Sequence, residues 1–383
     1  MRCLSCSGSD WRALPIPAAG RSISTSGIIF QEALEREQCM TCGLLQKKNR
    51  DFLGHGRFYE EQYQNYYERP ASEKFDRARY VAMAEWMASA LTRDFIPRSI
   101  LDIGCGAGWS MQAAKKIYPD AALVGIEPSA INAQKSRASG LEVIQARLAE
   151  APRDRTYDLI YSNNVLQHVT DPASFFRSFA AFLSEQGCVV LVLPDASEPS
   201  HELLWCDHNF SFRPEDLSGF ADQAGLNIHA WQPNQANSAL LNKQMVILKR
   251  SSSAHSVFPA SPLSTEALFA SRSSYMSKWK DLDNELVRRT HGHTRVFNFG
   301  ASMWSWLLAG YCPNYWRSVH ACLVDGGDDG QCVEKTVLSP ANVAFQKGDC
   351  IVLGINPVSQ HAAGIRFNSA GPTVVTWSDM IRS

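Results

Sequence analysis

Two groups of residues have spacing that chemistry can use. Cys3-x-x-Cys6 and Cys39-x-x-Cys42 are matched pairs separated by 32 residues. Two such pairs offer four thiolates to one tetrahedral zinc, which would close a loop too short to bury a core of its own. With every ligand supplied by the protein no position is left for water, so the metal expected there is structural. The second group lies mid-chain. SILDIGCGAGWSMQAA places Asp102 at a strand end, and Gly104, Cys105, Gly106 and Gly108 in the turn before a helix. Glycines let a backbone approach a ligand closely, and a helix start offers free N–H groups to a carboxylate. Further on, ALVGIEP ends a strand with Glu127, where a carboxylate can accept from two ribose hydroxyls. A nucleoside-bearing cofactor is the expectation.

These residues need a sheet to hold them. Apolar runs alternating with amphipathic segments predict strands at Ser99–Ile103, Ala122–Ile126, Glu142–Gln145, Tyr157–Ser162, Cys188–Leu193, Asn227–Trp231 and Gln244–Lys249. The last two are joined by a polar loop short enough for an antiparallel pair, unlike a purely parallel dinucleotide fold. The fold class expected is α/β, a Rossmann-like seven-stranded sheet whose last strand is antiparallel. Around it we expect a zinc-binding unit over 1–57, a helical Tyr-rich connector over 58–98 and the cofactor domain over 99–250. A linker and helix over 251–294 and a small C-terminal α/β domain over 295–383 complete the chain; the last opens on RVFNFGASMWSW.

The glycine pattern separates two cofactors. G-x-G-x-G stands where the dinucleotide fingerprint requires G-x-G-x-x-G, and Trp109 occupies the final position. The acidic Asp102 suits a ligand carrying an α-ammonium group. YDLIYSNNVLQHVTDPASFFRSFAAFLSEQGCVVLVLPD then follows. With it, about 150 residues resemble the class I S-adenosylmethionine (SAM) dependent methyltransferases. The resemblance implies that Asp102 and the Gly104–Gly108 loop, Cys105 included, hold the methionine moiety, and that Glu127 holds the ribose. Ala146–Leu148, with Leu148 foremost, would flank the adenine, and Asn163 would line the methionine side. Where related proteins often place an Asp for the adenine amine, this chain reads QARLAE, leaving Glu150 or backbone groups. His168 matches a position that is usually structural.

The order of parts resembles a narrower family, the zinc-containing C-methyltransferases of nucleotide-linked 4-keto deoxysugars. CMTCGLLQ (Cys39–Gln46), the tyrosines at 59, 63, 66 and 67, and CDHNFSF (Cys206–Phe212) carry that likeness. It implies deoxysugar biosynthesis and a nucleotide-sugar as the small-molecule acceptor. Methylating carbon beside a ketone requires removal of an α-proton, and a histidine held by a carboxylate suits the base role. His208 is then the base, Asp207 its neighbour or a substrate contact, and Tyr63, Tyr66 and Tyr67 substrate-side candidates. Two other readings stay open: O- or N-methylation of a natural product or glycan, and a non-catalytic SAM-fold protein serving assembly.

Bulk properties bound the rest. The 383 residues are 45% hydrophobic and 20% charged, as expected of two or three globular domains. A formal net charge of -1 gives no basic surface for nucleic acid. No run approaches the roughly 20 apolar residues of a membrane span, and MRCLSCSGSDW lacks the apolar core of an export signal. Eleven cysteines then read as reduced thiols and metal ligands in a cytoplasmic protein.

Overall fold

The computed structural model describes residues 2–50, 57–62, 70–92, 94–234, 242–250, 263–327, 330–367 and 371–381. The chain divides into two compact units that interleave along the sequence. One comprises residues 1–12, 37–202 and 208–268; the other comprises 13–36, 203–207 and 269–383. This differs from the linear division expected from composition, because 13–36 and 203–207 both belong with the C-terminal residues.

The first unit is built on seven strands: β1 (Ser99–Ile103), β2 (Ala122–Ile126), β3 (Glu142–Ile144), β4 (Tyr157–Asn163), β5 (Leu183–Pro194), β6 (Leu226–Pro233) and β7 (Lys243–Arg250). Their order across the sheet is 3-2-1-4-5-7-6. β1 to β5 pair in parallel, while β7 runs antiparallel to both β5 and β6. The strands read as continuous apolar runs because both faces are covered. Leu101, Ile160, Val189, Leu191 and Val246 join Phe176, Phe179 and Phe220 in one core cluster. The intervening Ile100, Leu159, Tyr161, Val190 and Met245 join Met83, Met87, Ala113 and Ala114 in another. That period-two alternation fixes the register, since a one-residue slip would exchange the two faces.

Helices α1 (Pro70–Ala90), α2 (Trp109–Ile117), α3 (Ala130–Ala138), α4 (Pro172–Phe182) and α5 (Ser218–Gln223) complete the layers. Their starts follow local chemistry. Asp171 accepts from Ser174 N at 3.0 Å with Pro172 at the first helical position, and Ser129 accepts from the Asn132 N–H. The strand order reverses between β1 and β4, which opens a crevice at their carboxyl ends.

Residues 11–13, 36–39, 45–47 and 210–211 form a second, four-stranded sheet. Within the first unit its Leu45–Lys47 strand lies antiparallel to Phe210–Ser211, with Gln46 opposite Phe210. Two motifs far apart in sequence, CMTCGLLQ and CDHNFSF, are thereby neighbours.

The other unit has its own α/β sheet of β8 (Val296–Phe299), β9 (Val319–Leu323), β10 (Gln331–Cys332), β11 (Lys335–Leu338), β12 (Cys350–Val352) and β13 (Thr373–Val375). Their order is 10-11-9-8-12-13, parallel except for the β10–β11 pair. Asn298 on β8 is fully buried. Its amide nitrogen donates to Gly300 O and to the Ser305 hydroxyl, both at 2.8 Å, and its oxygen accepts from the Tyr315 hydroxyl at 3.1 Å. Segment 203–207 is held in this unit by Arg36, whose guanidinium donates to the carbonyls of Leu203 and Trp205 at 2.5 and 2.9 Å.

No helix among the described residues is long and apolar enough to cross a membrane.

Candidate active site

The glycine loop follows β1 and precedes α2. Gly104 has φ +76, and a Cβ there would stand 2.3 Å from Val165 Cγ2, so only glycine fits. Gly108 also adopts positive φ, directly before α2. The Cys105 side chain turns away into a small cluster with Met111, Ala133 and Val143. Burial holds its thiol well above the ordinary range, with the Asp102 and Glu127 charges acting the same way, so Cys105 can serve the site only through its backbone.

Asp102 is fully buried at the end of β1. Its Oδ2 accepts from the Ser110 hydroxyl at 2.5 Å, whereas among the described residues Oδ1 has no partner at hydrogen-bond distance. Burial raises its pKa from 3.8 to about 7, against the Ser110 and neighbouring Tyr161 hydroxyls and assisted by the Glu127 charge. An unsatisfied buried carboxylate oxygen suits a cationic ligand group. Glu127 ends β2, its oxygens accepting from Gly106 N at 2.9 Å and Ser129 N at 2.8 Å. Burial pushes this carboxyl up too, with those two bonds opposing. The loop, Asp102 and Glu127 therefore surround one place. Leu148 lies half-buried against the core beyond β3, where it could flank a flat base.

Past β4 the chain presents further polar groups. Among the described residues, both amide atoms of Asn163, Oδ1 of Asn164 and Oε1 of Gln167 are buried without partners. These orphaned groups fit a polar ligand across the β1–β4 crevice. The following turn is pinned by Asn209, whose N–H donates to Gln167 O and whose amide donates to His168 O, both at 2.7 Å.

That pinning brings two histidines together. The His168 and His208 rings meet edge to face with centroids 4.8 Å apart, and the Tyr59 hydroxyl lies 2.7 Å from His168 Nδ1. His208 is buried, and its Nδ1 lies 3.1 Å from the Glu202 carbonyl oxygen and 3.5 Å from Glu202 Oε2. A carbonyl only accepts, so Nδ1 carries the proton and Nε2 the lone pair in the neutral ring. The lysine that opens β7, Lys243, bonds Glu202 Oε1 at 2.8 Å.

Several candidate residues are placed differently from expectation. Asp207, expected beside His208, accepts instead from the Thr25 N–H and hydroxyl at 2.9 and 2.5 Å, both residues lying in the second unit. The carboxylate that meets His208 is Glu202. Glu202 and Lys243 belong to no motif, and their signals in the sequence are an acid inside the apolar HELLWC and a lysine opening an apolar strand. His168, expected to be structural, stands against the candidate base. Tyr63, Tyr66 and Tyr67 lie outside the described residues.

The Sγ atoms of Cys3, Cys6, Cys39 and Cys42 all lie within 4.8 Å of one another. Cys3–Cys42 and Cys6–Cys39 are each 3.7 Å apart, close to the edge of about 3.8 Å of a tetrahedron with 2.3 Å metal–sulfur bonds. The knuckle turns are tied by Gly43 N–H donating to Cys39 O at 2.8 Å and Gly8 N–H donating to Cys6 Sγ at 3.4 Å. The four thiols thus form a site suited to a metal.

Residues 75–230 match the family model of a methyltransferase domain. The matched segment carries the glycine loop, Glu127 and both histidines. Over 111 residues the chain is 33% identical to the trans-aconitate 2-methyltransferase of Methylobacterium nodulans, covering 28% of this chain and 43% of that protein. Over 140 residues it is 31% identical to the protein of the same name from Acidovorax sp., covering 35% and 54%. The chain thus spans about half the length of the curated relatives it matches. A solved SAM-dependent methyltransferase from Mesorhizobium loti aligns over 44% of this chain and 98% of its own, at 21% identity and a TM-score of 0.36.

Proposed function

We propose that the protein is a SAM-dependent methyltransferase in which His208 removes a proton from the acceptor, most simply a carbon beside the ketone of a nucleotide-linked sugar. The observation that carries this is the buried imidazole whose Nδ1 meets the Glu202 carbonyl, the tautomer that places the ring's lone pair on Nε2. Bound SAM supplies an electrophilic methyl group. Asp102 would hold its α-ammonium, the Gly104–Gly108 backbone its carboxylate, Glu127 the ribose hydroxyls, and Leu148 and Asn163 the adenine and methionine sides. His208 takes the acceptor proton onto Nε2, and the imidazolium so formed faces the Glu202 carboxylate. The pairing of Leu45–Lys47 with Phe210–Ser211 supports the sugar reading, since it joins the two motifs on which that resemblance rests.

The four thiolates are proposed to hold one structural zinc. In that role the zinc stiffens the strand that abuts the His208 segment.

A second reading, O-methylation of an acid, is favoured by the relatives named for trans-aconitate. A carboxylate is already a nucleophile and needs no base, so the buried His208 favours the first reading. Solvent exchange separates them. A nucleotide-linked 4-keto sugar incubated in D2O without SAM should take deuterium at the carbon beside the ketone. His208→Ala should abolish that uptake; uptake and methylation at the normal rate in the variant would remove His208 from the reaction.

A further inference from the structure

Resting on the reading of His208 as the base, we propose that Glu202 positions this imidazole and sets its basicity, with Lys243 as the opposing charge. One residue meets the same ring nitrogen twice. The Glu202 carbonyl lies 3.1 Å from His208 Nδ1, and its carboxylate Oε2 lies 3.5 Å away. The other carboxylate oxygen is engaged elsewhere: Lys243 Nζ lies 2.8 Å from Oε1 and His201 Nε2 lies 3.7 Å from it. Oε2 is therefore left for the imidazole. All three partners are largely buried, the side chains of Glu202, Lys243 and His201 being 11%, 13% and 13% exposed, so water screens the charges little.

Among the described residues, the groups facing His208 come from four elements. Glu202 and His201 belong to the turn His201–Leu204, and Lys243 to β7. His168 comes from the turn after β4, with Tyr59 of the turn Phe58–Gln62 behind it. Asp207 adjoins His208 in the chain, its carboxylate bonded to Thr25. Burial opposes ionisation of Glu202, but Lys243, His201 and His208 together hold its carboxyl well below the ordinary range, so it stays ionised at neutral pH. With neutral His208 the Glu202–Lys243 pair balances. When His208 gains a proton the carboxylate steadies it and the ammonium opposes it. The two residues thus act on the imidazole with opposite signs. An ion pair that only stitches the His201–Leu204 turn to β7 would not separate them.

The test follows the His208 ring in the full-length protein labelled with ¹³Cε1-histidine, its signal assigned by its loss in His208→Gln. Glu202→Gln should lower the His208 pKa by about one unit, and Lys243→Met should raise it by roughly half a unit. The acid limb of the methylation pH profile should move with each. Should Glu202→Gln fail to fold, the upward move in Lys243→Met and a fall relative to it in the Glu202→Gln/Lys243→Met double variant decide the matter. Movement in one common direction, or no movement, overturns the proposal. Opposite movements in a protein whose His208→Ala variant still methylates normally would uphold the electrostatic role of Glu202 and refute the base assignment instead.

Discussion

Replacing Asp102 by Asn should stabilise the unliganded protein while weakening its hold on SAM. The carboxyl sits fully buried at the end of β1, one oxygen without a partner at hydrogen-bond distance among the described residues, and burial raises it from 3.8 to about 7. A folded-state pKa above the unfolded value means that no ionisation penalty exists below about pH 4. The penalty then builds as pH rises towards 7 and is complete above it. Its full size is about 4 kcal/mol, at roughly 1.4 kcal/mol per pH unit between the two values. The amide keeps the shape and removes the charge but weakens the Ser110 bond, which takes back about 1–2 kcal/mol. A net gain of roughly 2 kcal/mol at pH 8 corresponds to a Tm rise of about 4–8 °C; it should cross zero near pH 5 and become a loss of about 1–2 kcal/mol near pH 4, where only the weakened Ser110 bond remains. Binding should move the other way, since the α-ammonium loses a charged partner worth about 1.5–3 kcal/mol, roughly tenfold or more in Kd. Thermal melts of the unliganded variant from pH 4 to 8.5, with calorimetric titration of S-adenosylhomocysteine, measure both. A variant less stable than wild type at pH 8 that binds the ligand unchanged would refute the reasoning.

Other consequences follow from the same geometry. Gly104→Ala places a Cβ against Val165 at positive φ and should cost about 2–4 kcal/mol by chemical denaturation. Adding Val165→Ala should recover part of that loss, and an additive pair would show that the clash is not its source. The purified protein should carry about one zinc per chain by elemental analysis, lost in Cys39→Ser together with several degrees of Tm. Full metal content in that variant would place the metal elsewhere. SAM affinity of the wild type should fall about tenfold between pH 8 and pH 6, because Asp102 must ionise to receive a cation. A flat pH profile would take Asp102 out of that role.

Much of the sheet was legible because its signal is local. Continuous apolar runs such as CVVLVL and MVIL gave β5 and β7, and the short polar loop between the last two strands gave their antiparallel pairing. The glycine loop and Glu127 were legible for a similar reason, since a close-approach turn and a strand-ending acid are both short-range patterns. The histidine site was not. His168 meets His208 only because Asn209 ties down the turn after β4, and Glu202 reaches His208 because a tight turn reverses the chain within six residues. Asp207 stands at the acidic position that the sugar-methyltransferase resemblance implies, yet adjacent side chains need not face the same partner, and its carboxylate is taken by Thr25. The interleaving of 13–36 and 203–207 with the C-terminal residues was equally hidden, because no composition change marks it.

The crevice between β1 and β4 is proposed to hold SAM. Calorimetric titration of the purified chain with S-adenosylhomocysteine tests it most directly. The account predicts a single site per chain with a Kd of roughly tens of micromolar or tighter, about −6 kcal/mol or better, and marked weakening in Glu127→Ala. No binding at millimolar ligand, or binding untouched by Glu127→Ala, would contradict it.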